Sequence, residues 1–344
     1  MSSYIIKRLL QAFPQMLIIT MLLFILTANL GDPLATFGGT RRRLPPADRA
    51  RLEKQLGLDQ PVFIQYSIWL VGNNWMDVDT DADGISDSPG TRLGILRGDL
   101  GNSFQERRPA LDVISERIWP TMLLMVTSEI IVIIFALIIG TYSALNQYSF
   151  SDNLLTTLSF IGYSMPIFWL ALMLIYIFSV YFQRWGLPSM PTVGMYDLNV
   201  GPTPGQIALH LVLPLTTLSV VSIASYSRYV RSQMLEVLGQ DYIRTAYAKG
   251  LPEQKILFRH ALKNAALPLV TIIGLDLPLL LGGTVVTEAI FGWPGMGRLF
   301  YKATNAGDIP VTMGILLLIS VLVVGCQLIT DIAYTYFDPR IRYE

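Results

Sequence analysis

The chain alternates long apolar runs with short polar connections. Six runs, over residues 9–30, 119–145, 154–182, 207–229, 265–290 and 311–337, are long enough to cross a bilayer, which takes roughly 20 mostly apolar residues. In hydrocarbon a single segment can pair all its backbone amides only as a helix. The pattern therefore predicts an all-α polytopic membrane protein with six transmembrane helices. The first run follows Lys7 and Arg8, but it is too long for a signal peptide, and Ala28-Asn29-Leu30-Gly31 lacks a small-x-small cleavage pattern; it reads as a retained anchor. Pro166, Pro214 and Pro268 predict bends or helix starts.

Composition strengthens this reading. Of 344 residues 52% are hydrophobic and 15% charged, where a soluble domain carries nearer a quarter charged. The formal net charge is zero and gives no reason to expect nucleic acid, so the placement of charge matters more than its sum. Arg228, Arg231, Arg244, Lys249, Lys255, Arg259 and Lys263 share the connection between the fourth and fifth runs, Lys7 and Arg8 sit at the N-terminus, and Arg340 and Arg342 in the tail. With six spans these three regions fall on one side, which the positive-inside rule makes cytoplasmic. Arg41-Arg42-Arg43 falls outside, in a stretch (31–118) long enough to translocate regardless of charge. One cysteine, Cys326, excludes an intrachain disulfide and a thiolate metal cluster. The two histidines, His210 and His260, are too far apart in sequence to suggest a local site.

Two features mark the long outside stretch. Pro45-Pro46 precedes residues 47–56, where Leu52 and Leu56 share a face and Gly57 follows, the signature of a short surface helix. Asp79-x-Asp81-x-Asp83-Gly84-x-x-Asp87 matches positions one, three, five, six and nine of a calcium loop, with Gly90 where the closing glutamate belongs. Asp79, Asp81, Asp83 and Asp87 are thus candidate ligands for a structural calcium; a solvated acidic insertion is the other reading.

The cytoplasmic connection has its own pattern. Over 232–249, Leu235, Leu238, Tyr242 and Ala246 recur three or four apart, which predicts one helix. Gly250 suits a left-handed cap and Pro252 prevents continuation. A second short helix is expected over 253–264, with Ile256, Leu257 and His260 on one side and Lys255, Arg259 and Lys263 on another. Small residues Ala246, Ala248 and Gly250 at the corner would let a partner backbone approach. Spacing alone leaves two readings open: a docking surface, or a basic elbow lying on lipid headgroups.

The stretch Gln240-Asp241-Tyr242-Ile243-Arg244-Thr245-Ala246-x-Ala248-Lys249-Gly250-Leu251 resembles the EAA loop of importer-type ABC transporter permeases, in the form of the dipeptide/oligopeptide branch. Arg244 stands where the general pattern has a glutamate, and the later Ile-x-Leu-Pro is not matched at His260–Lys263. The likeness extends to Tyr4-Ile5-Ile6-Lys7-Arg8, Leu56-Gly57-Leu58-Asp59-Gln60-Pro61, Gly98-Asp99-Leu100-Gly101-Asn102-Ser103-Phe104, Ser164-Met165-Pro166-Ile167-Phe168-Trp169, His210-Leu211-Val212-Leu213-Pro214 and Phe291-Gly292-Trp293-Pro294-Gly295-Met296-Gly297, so it covers nearly the whole chain.

This resemblance implies the type I ABC importer permease fold in a prokaryotic inner membrane, both termini cytoplasmic. It implies three parts: residues 1–117 with the first span and the outside region, 118–337 with five spans and a coupling loop at about 232–264, and a tail over 338–344. Implied partners are a second homologous permease, two cytoplasmic ATPase subunits, an extracytoplasmic solute-binding protein and a peptide substrate. ATP and magnesium would be used by the ATPase subunits, with no cofactor on this chain. The residues carried over as the ATPase contact are Tyr242, Arg244, Thr245, Ala246, Ala248, Lys249, Gly250 and Leu251. No Gly-x-x-x-x-Gly-Lys-Ser/Thr occurs in the sequence.

Carboxylates at membrane depth (Glu129, Asp276, Glu288 and Asp331) are costly and face protein or a water-filled cavity. Asp276, among Gly274, Pro278, Gly282 and Gly283, is a candidate translocation-path residue or an interhelical hydrogen-bond anchor. Glu288 and Asp331, near span ends, are expected to be interfacial or structural. A relay of such carboxylates would fit an alternative class, a proton-driven secondary transporter without ATPase partners. An intramembrane hydrolase lacks its signatures.

Overall fold

Helix α1 (Ser2–Asn29) carries the first apolar run and Pro14 within it. The computed structural model describes residues 2–29, 45–46, 49–50, 53–54, 57–75, 77–78, 88–90 and 92–337. Arg41–Arg43, most of the surface helix expected over 47–56, the candidate calcium residues Asp79, Asp81, Asp83 and Asp87, and the tail over 338–344 lie outside the described residues. The described helices that follow are α2 (Val62–Val71), α3 (Ala110–Leu145), α4 (Phe150–Ser164), α5 (Ile167–Ile175), α6 (Pro204–Leu238), α7 (Asp241–Ala248), α8 (Glu253–Lys255), α9 (Leu267–Ile290), α10 (Met296–Asn305) and α11 (Ile309–Phe337). A two-residue hairpin pairs β1 (Asp77–Val78) with β2 (Ser88–Pro89), Asp77 opposite Pro89. Among the described residues six helical stretches are long and apolar enough to span a membrane: Leu10–Thr27, Ala110–Leu145, Ile167–Arg184, Pro204–Leu238, Glu253–Gly274 and Ile309–Thr330.

Two expectations about continuity are corrected. The third run is not one helix: Pro166 lacks an N–H and forces its predecessor out of the helical region, so Met165 is extended (φ −78°, ψ 128°) and closes α4. Helix α5 begins at Ile167 and runs on through a π-helical turn (Tyr176–Tyr181) to Arg184. The helix predicted over 232–249 is also two. It stops at Leu238, with Gly239 as cap and Gln240 extended (φ −75°, ψ 149°), before α7 starts at Asp241. Glycine is the poorest helix former after proline, and an acidic first residue suits a new helix N-terminus. Pro214 lies within α6 and Pro268 in the first turn of α9.

The chain divides into two units. In the first (Met1–Trp119 with Leu299–Val324), α1 packs on α2 through Phe24, Tyr66 and Trp69, with Thr20 and Tyr66 hydroxyls 2.9 Å apart. Buried Asp308 accepts from the Ser103 hydroxyl (2.5 Å) and the Phe104 amide (3.1 Å). Asp99 accepts from the amides of Leu93 and Gly101, each at 2.9 Å. The Gly98–Phe104 motif is thus a hydrogen-bonded turn.

In the second unit (Pro120–Arg298 with Gly325–Glu344), one apolar cluster joins Val132, Ala136 and Ala144 of α3 to Tyr226, Val230 and Met234 of α6, and continues to Ile243, Ala246, Ile256, Ala261, Ala265 and Leu269. Small residues set the helix spacing: a Cβ on Gly140 would collide with the Ser227 carbonyl and Val230, and one on Gly162 would press on Val220.

Candidate functional site at the elbow after α6

Helix α7 is short, so its sequence decides which face goes in. Ile243 (1% exposed) and Ala246 (7%) point into the apolar cluster, while Tyr242, Arg244, Thr245, Tyr247, Ala248, Lys249 and Gly250 are exposed. Three residues apart is one face of a helix, and the intervening positions form the other. The expected contact residues therefore divide. Ala246 is small because its own protein packs on it, and the rest, with half-buried Leu251 behind them, present a polar face carrying Arg244 and Lys249.

The stop is a Schellman motif. The Leu251 amide donates to the Ala246 carbonyl (3.3 Å) and the Gly250 amide to the Tyr247 carbonyl (2.9 Å), which satisfies carbonyls the helix end would leave open. Gly250 has φ +69°, as expected of a left-handed cap, and Leu251 packs back on the cluster. After Pro252, α8 passes into a π-helical stretch (Ile256–Leu262) and a last turn (Lys263–Ala265). Ile256 is fully buried, and Asn264 donates to the Tyr242 hydroxyl at 3.2 Å. The elbow is held at both ends, and the exposed pair Arg244–Asp241 (3.5 Å) adds little, as surface pairs do.

One feature near the elbow was not singled out from the sequence. Asp152, with a side chain 2% exposed, takes a bidentate contact from Arg231: Nε to Oδ1 at 2.9 Å and Nη2 to Oδ2 at 2.8 Å. The Tyr148 amide donates to the same carboxylate and Ser149 caps α4. The Arg231 guanidinium holds the Asp152 carboxyl at about 2, well below its ordinary 3.8. The pair ties α4 to α6. In the sequence Arg231 is one of seven cations in its connection, and nothing there pairs it with Asp152, 79 residues earlier.

Asp276 accepts from the Tyr226 hydroxyl at 3.0 Å, an interhelical bond between α9 and α6, and Glu129 of α3 is buried beside the same tyrosine. Of the two readings of Glu288, interfacial or structural, the structure supports the second: the side chain is fully buried. It accepts from the Thr121 hydroxyl (2.8 Å) and the Arg298 amide (2.9 Å), while Trp293 Nε1 donates to the Pro120 carbonyl (2.9 Å). A Cβ at Gly295 would overlap the Glu288 carboxylate, so the Phe291–Gly297 motif is the turn that folds over this carboxylate. Asp331 lies in α11, its side chain outside the described residues.

Comparison with known proteins agrees with this architecture. The model of the family "Binding-protein-dependent transport system inner membrane component" matches residues 136–343, and that of its N-terminal region matches residues 1–126. The oligopeptide transport system permease protein AppB of Bacillus subtilis is 39% identical over 345 residues, covering 100% of both chains. The dipeptide transport system permease protein DppB of Alkalihalophilus pseudofirmus is 36% identical, and the glutathione transport system permease protein GsiC of Salmonella paratyphi A 35%, each with 100% of both chains covered. Among solved structures, a chain of the MetNI methionine ABC transporter in an inward-facing conformation superposes with a TM-score of 0.51 at 18% identity, covering 66% of this chain and 97% of that one; this likeness bears on the fold. Together with six membrane-length helices, these matches make the chain a multi-pass membrane permease that belongs to the family of binding-protein-dependent transport system inner membrane components.

Proposed function

We propose that this chain is one of two permease subunits in an ATP-driven importer of small peptides, with the exposed face of α7 seated on a cytoplasmic ATPase subunit. The observation that carries the reading is the division of α7. Ile243 and Ala246 anchor it in the core of the second unit, and Tyr242, Arg244, Thr245, Ala248, Lys249 and Gly250 face outward. A helix anchored on one face and free on the other can pass a push from a partner into the spans behind it, and packed interfaces of this kind shift as rigid pieces. Relatives named for oligopeptide, dipeptide and glutathione transport support a peptide substrate.

In this reading both termini are cytoplasmic, a solute-binding protein delivers the peptide from outside, and hydrolysis of ATP with magnesium occurs on the two ATPase subunits. The test is purification of the assembly through this subunit, with its companions identified. Charge reversal at Arg244 and Lys249 to Glu should lower peptide-stimulated ATP hydrolysis and transport several-fold while membrane insertion is unchanged. Normal transport by the assembled R244E/K249E variant, or transport by this polypeptide alone without nucleotide, would overturn the reading.

A further inference from the structure

Two arginines three residues apart on α6 have opposite surroundings. Arg231 is paired with Asp152. Arg228 has no carboxylate within ion-pair range among the described residues; its Nε donates to the Ala224 carbonyl (3.1 Å), and its guanidinium lies 4.7 Å from the ring centres of both Phe160 and Tyr163. Ala224 is one turn toward the N-terminus of α6. In the orientation proposed above, the side chain thus leans into the bilayer, away from the cytoplasmic surface that a lipid-facing arginine would reach for.

Phe160 is also a wall of an open groove of about 540 Å³, which continues over Met165 and Pro166 to Trp169. That volume falls in the range of small-molecule sites, roughly 300–1,000 Å³. The groove lies at the break between α4 and α5. Irregular backbone at membrane depth is tolerated only where protein buries it or water reaches it, and Phe160, Tyr163 and Trp169 are exposed. Phe160 joins the two features, walling this aromatic groove and flanking the Arg228 guanidinium, and that pairing has the chemistry to take an apolar side chain with an adjoining carboxylate.

We infer that Arg228, with Phe160 and Tyr163, forms a subsite of the translocation path that receives the C-terminal carboxylate of the passing peptide. This rests on the peptide-importer reading. Arg228 positions the carboxylate through its Nη atoms, and the two rings fix the guanidinium from behind.

The test uses the assembled transporter with its solute-binding protein in liposomes, and a peptide in free-acid and C-terminally amidated forms. Each form meets the same binding protein in wild type and variant, so the ratio of R228Q to wild-type transport cancels that protein's own preference. The expected result is a loss of about tenfold for the free acid, the size of one charge-assisted hydrogen bond, and little change for the amide. Equal losses, or none, overturn the subsite. An arginine that instead holds an anionic headgroup would depress both peptides alike and make wild-type transport depend on anionic lipid, which also overturns it. Should R228Q fail to assemble, a peptide with a diazirine on its last side chain is photolysed in the wild-type complex. Labelling within residues 160–169 supports the subsite, and labelling confined elsewhere removes it. A wild-type assembly that carries neither peptide defeats the importer reading itself, whereas wild-type transport with equal ratios defeats this inference alone.

Discussion

The α7 elbow and the Phe291–Gly297 turn use similar residues to opposite ends. Each stops a helix on a left-handed glycine, Gly250 at φ +69° and Gly292 at φ +59°. At Gly250 an added Cβ meets nothing within 4 Å, so the glycine is there for its backbone conformation. At Gly295 and Gly297 a Cβ would strike the Glu288 carboxylate or the Val285 backbone, so those glycines are there for space. The elbow sends its polar side chains outward and keeps two apolar ones in; the turn keeps one carboxylate in, satisfied by the Arg298 amide and the Thr121 hydroxyl, and that hydroxyl accepts in turn from the Met296 amide. A glycine-rich connection with its polar groups outward is available to a partner, whereas one with its polar group inward is fully occupied in holding itself together.

The comparison breaks first if Glu288 proves dispensable. Glu288→Ala removes the acceptor for the Thr121 hydroxyl and the Arg298 amide in a site with no exposure. Orphaned buried donors cost about 1–3 kcal/mol each, and a cavity adds to that. The expected loss is about 3–5 kcal/mol, seen as a fall in the thermal midpoint of the solubilised protein or as failure to accumulate. A variant as stable as wild type would show that the turn folds without its carboxylate.

Asp152 sharpens the contrast, because its buried ion pair lies at the elbow's side of the bundle. Its carboxyl is held near 2 in the folded protein against 3.8 ordinarily. The folded state thus binds the proton more weakly than the unfolded state. The resulting stabilisation is complete above the ordinary value and disappears as pH falls through about 2. A shift of this size corresponds to about 2 kcal/mol at neutral pH. Unfolding of wild type and D152N should therefore differ by about that amount at pH 6 and converge as pH falls from about 4 through about 2. A gap independent of pH would mean that Arg231 does not hold the carboxylate in solution.

How much of this was legible follows from period and punctuation. Six apolar runs gave the class and number of spans because hydrocarbon admits one solution for each run. Gly250 and Pro252 gave the elbow's corner, since a left-handed cap and a missing N–H are local properties. The break at Met165–Pro166 was marked in the sequence by the proline, which predicts a bend or a helix start, but apolar composition on both sides left the run of 29 residues (154–182) reading as a single span. The inward face of Ala246 was not legible, because smallness serves a partner's backbone and the protein's own core equally. The choice between an interfacial and a structural Glu288 was not legible for a related reason. Sequence shows a carboxylate near a span end but not the amides that the following turn folds over it.

The smallest expected effect on stability, and the finest test of the comparison, is at Gly250. If the elbow's glycine supplies only conformation, residues that tolerate the left-handed region should replace it and β-branched ones should not. Asparagine adopts that region most readily among non-glycine residues, and a strained L-residue there costs roughly 1–2 kcal/mol. G250N should keep near wild-type peptide-stimulated ATP hydrolysis, since its side chain enters space in which a Cβ meets nothing. G250V should bring the global unfolding midpoint down only slightly but reduce stimulated hydrolysis several-fold, because the strain is relieved by shifting the Leu251 and Gly250 hydrogen bonds that fix the end of α7. Equal activity of the two variants would show that the left-handed stop is not what holds the exposed face in place. Equal loss would point instead to a partner packed so closely on Gly250 that it admits no side chain at all.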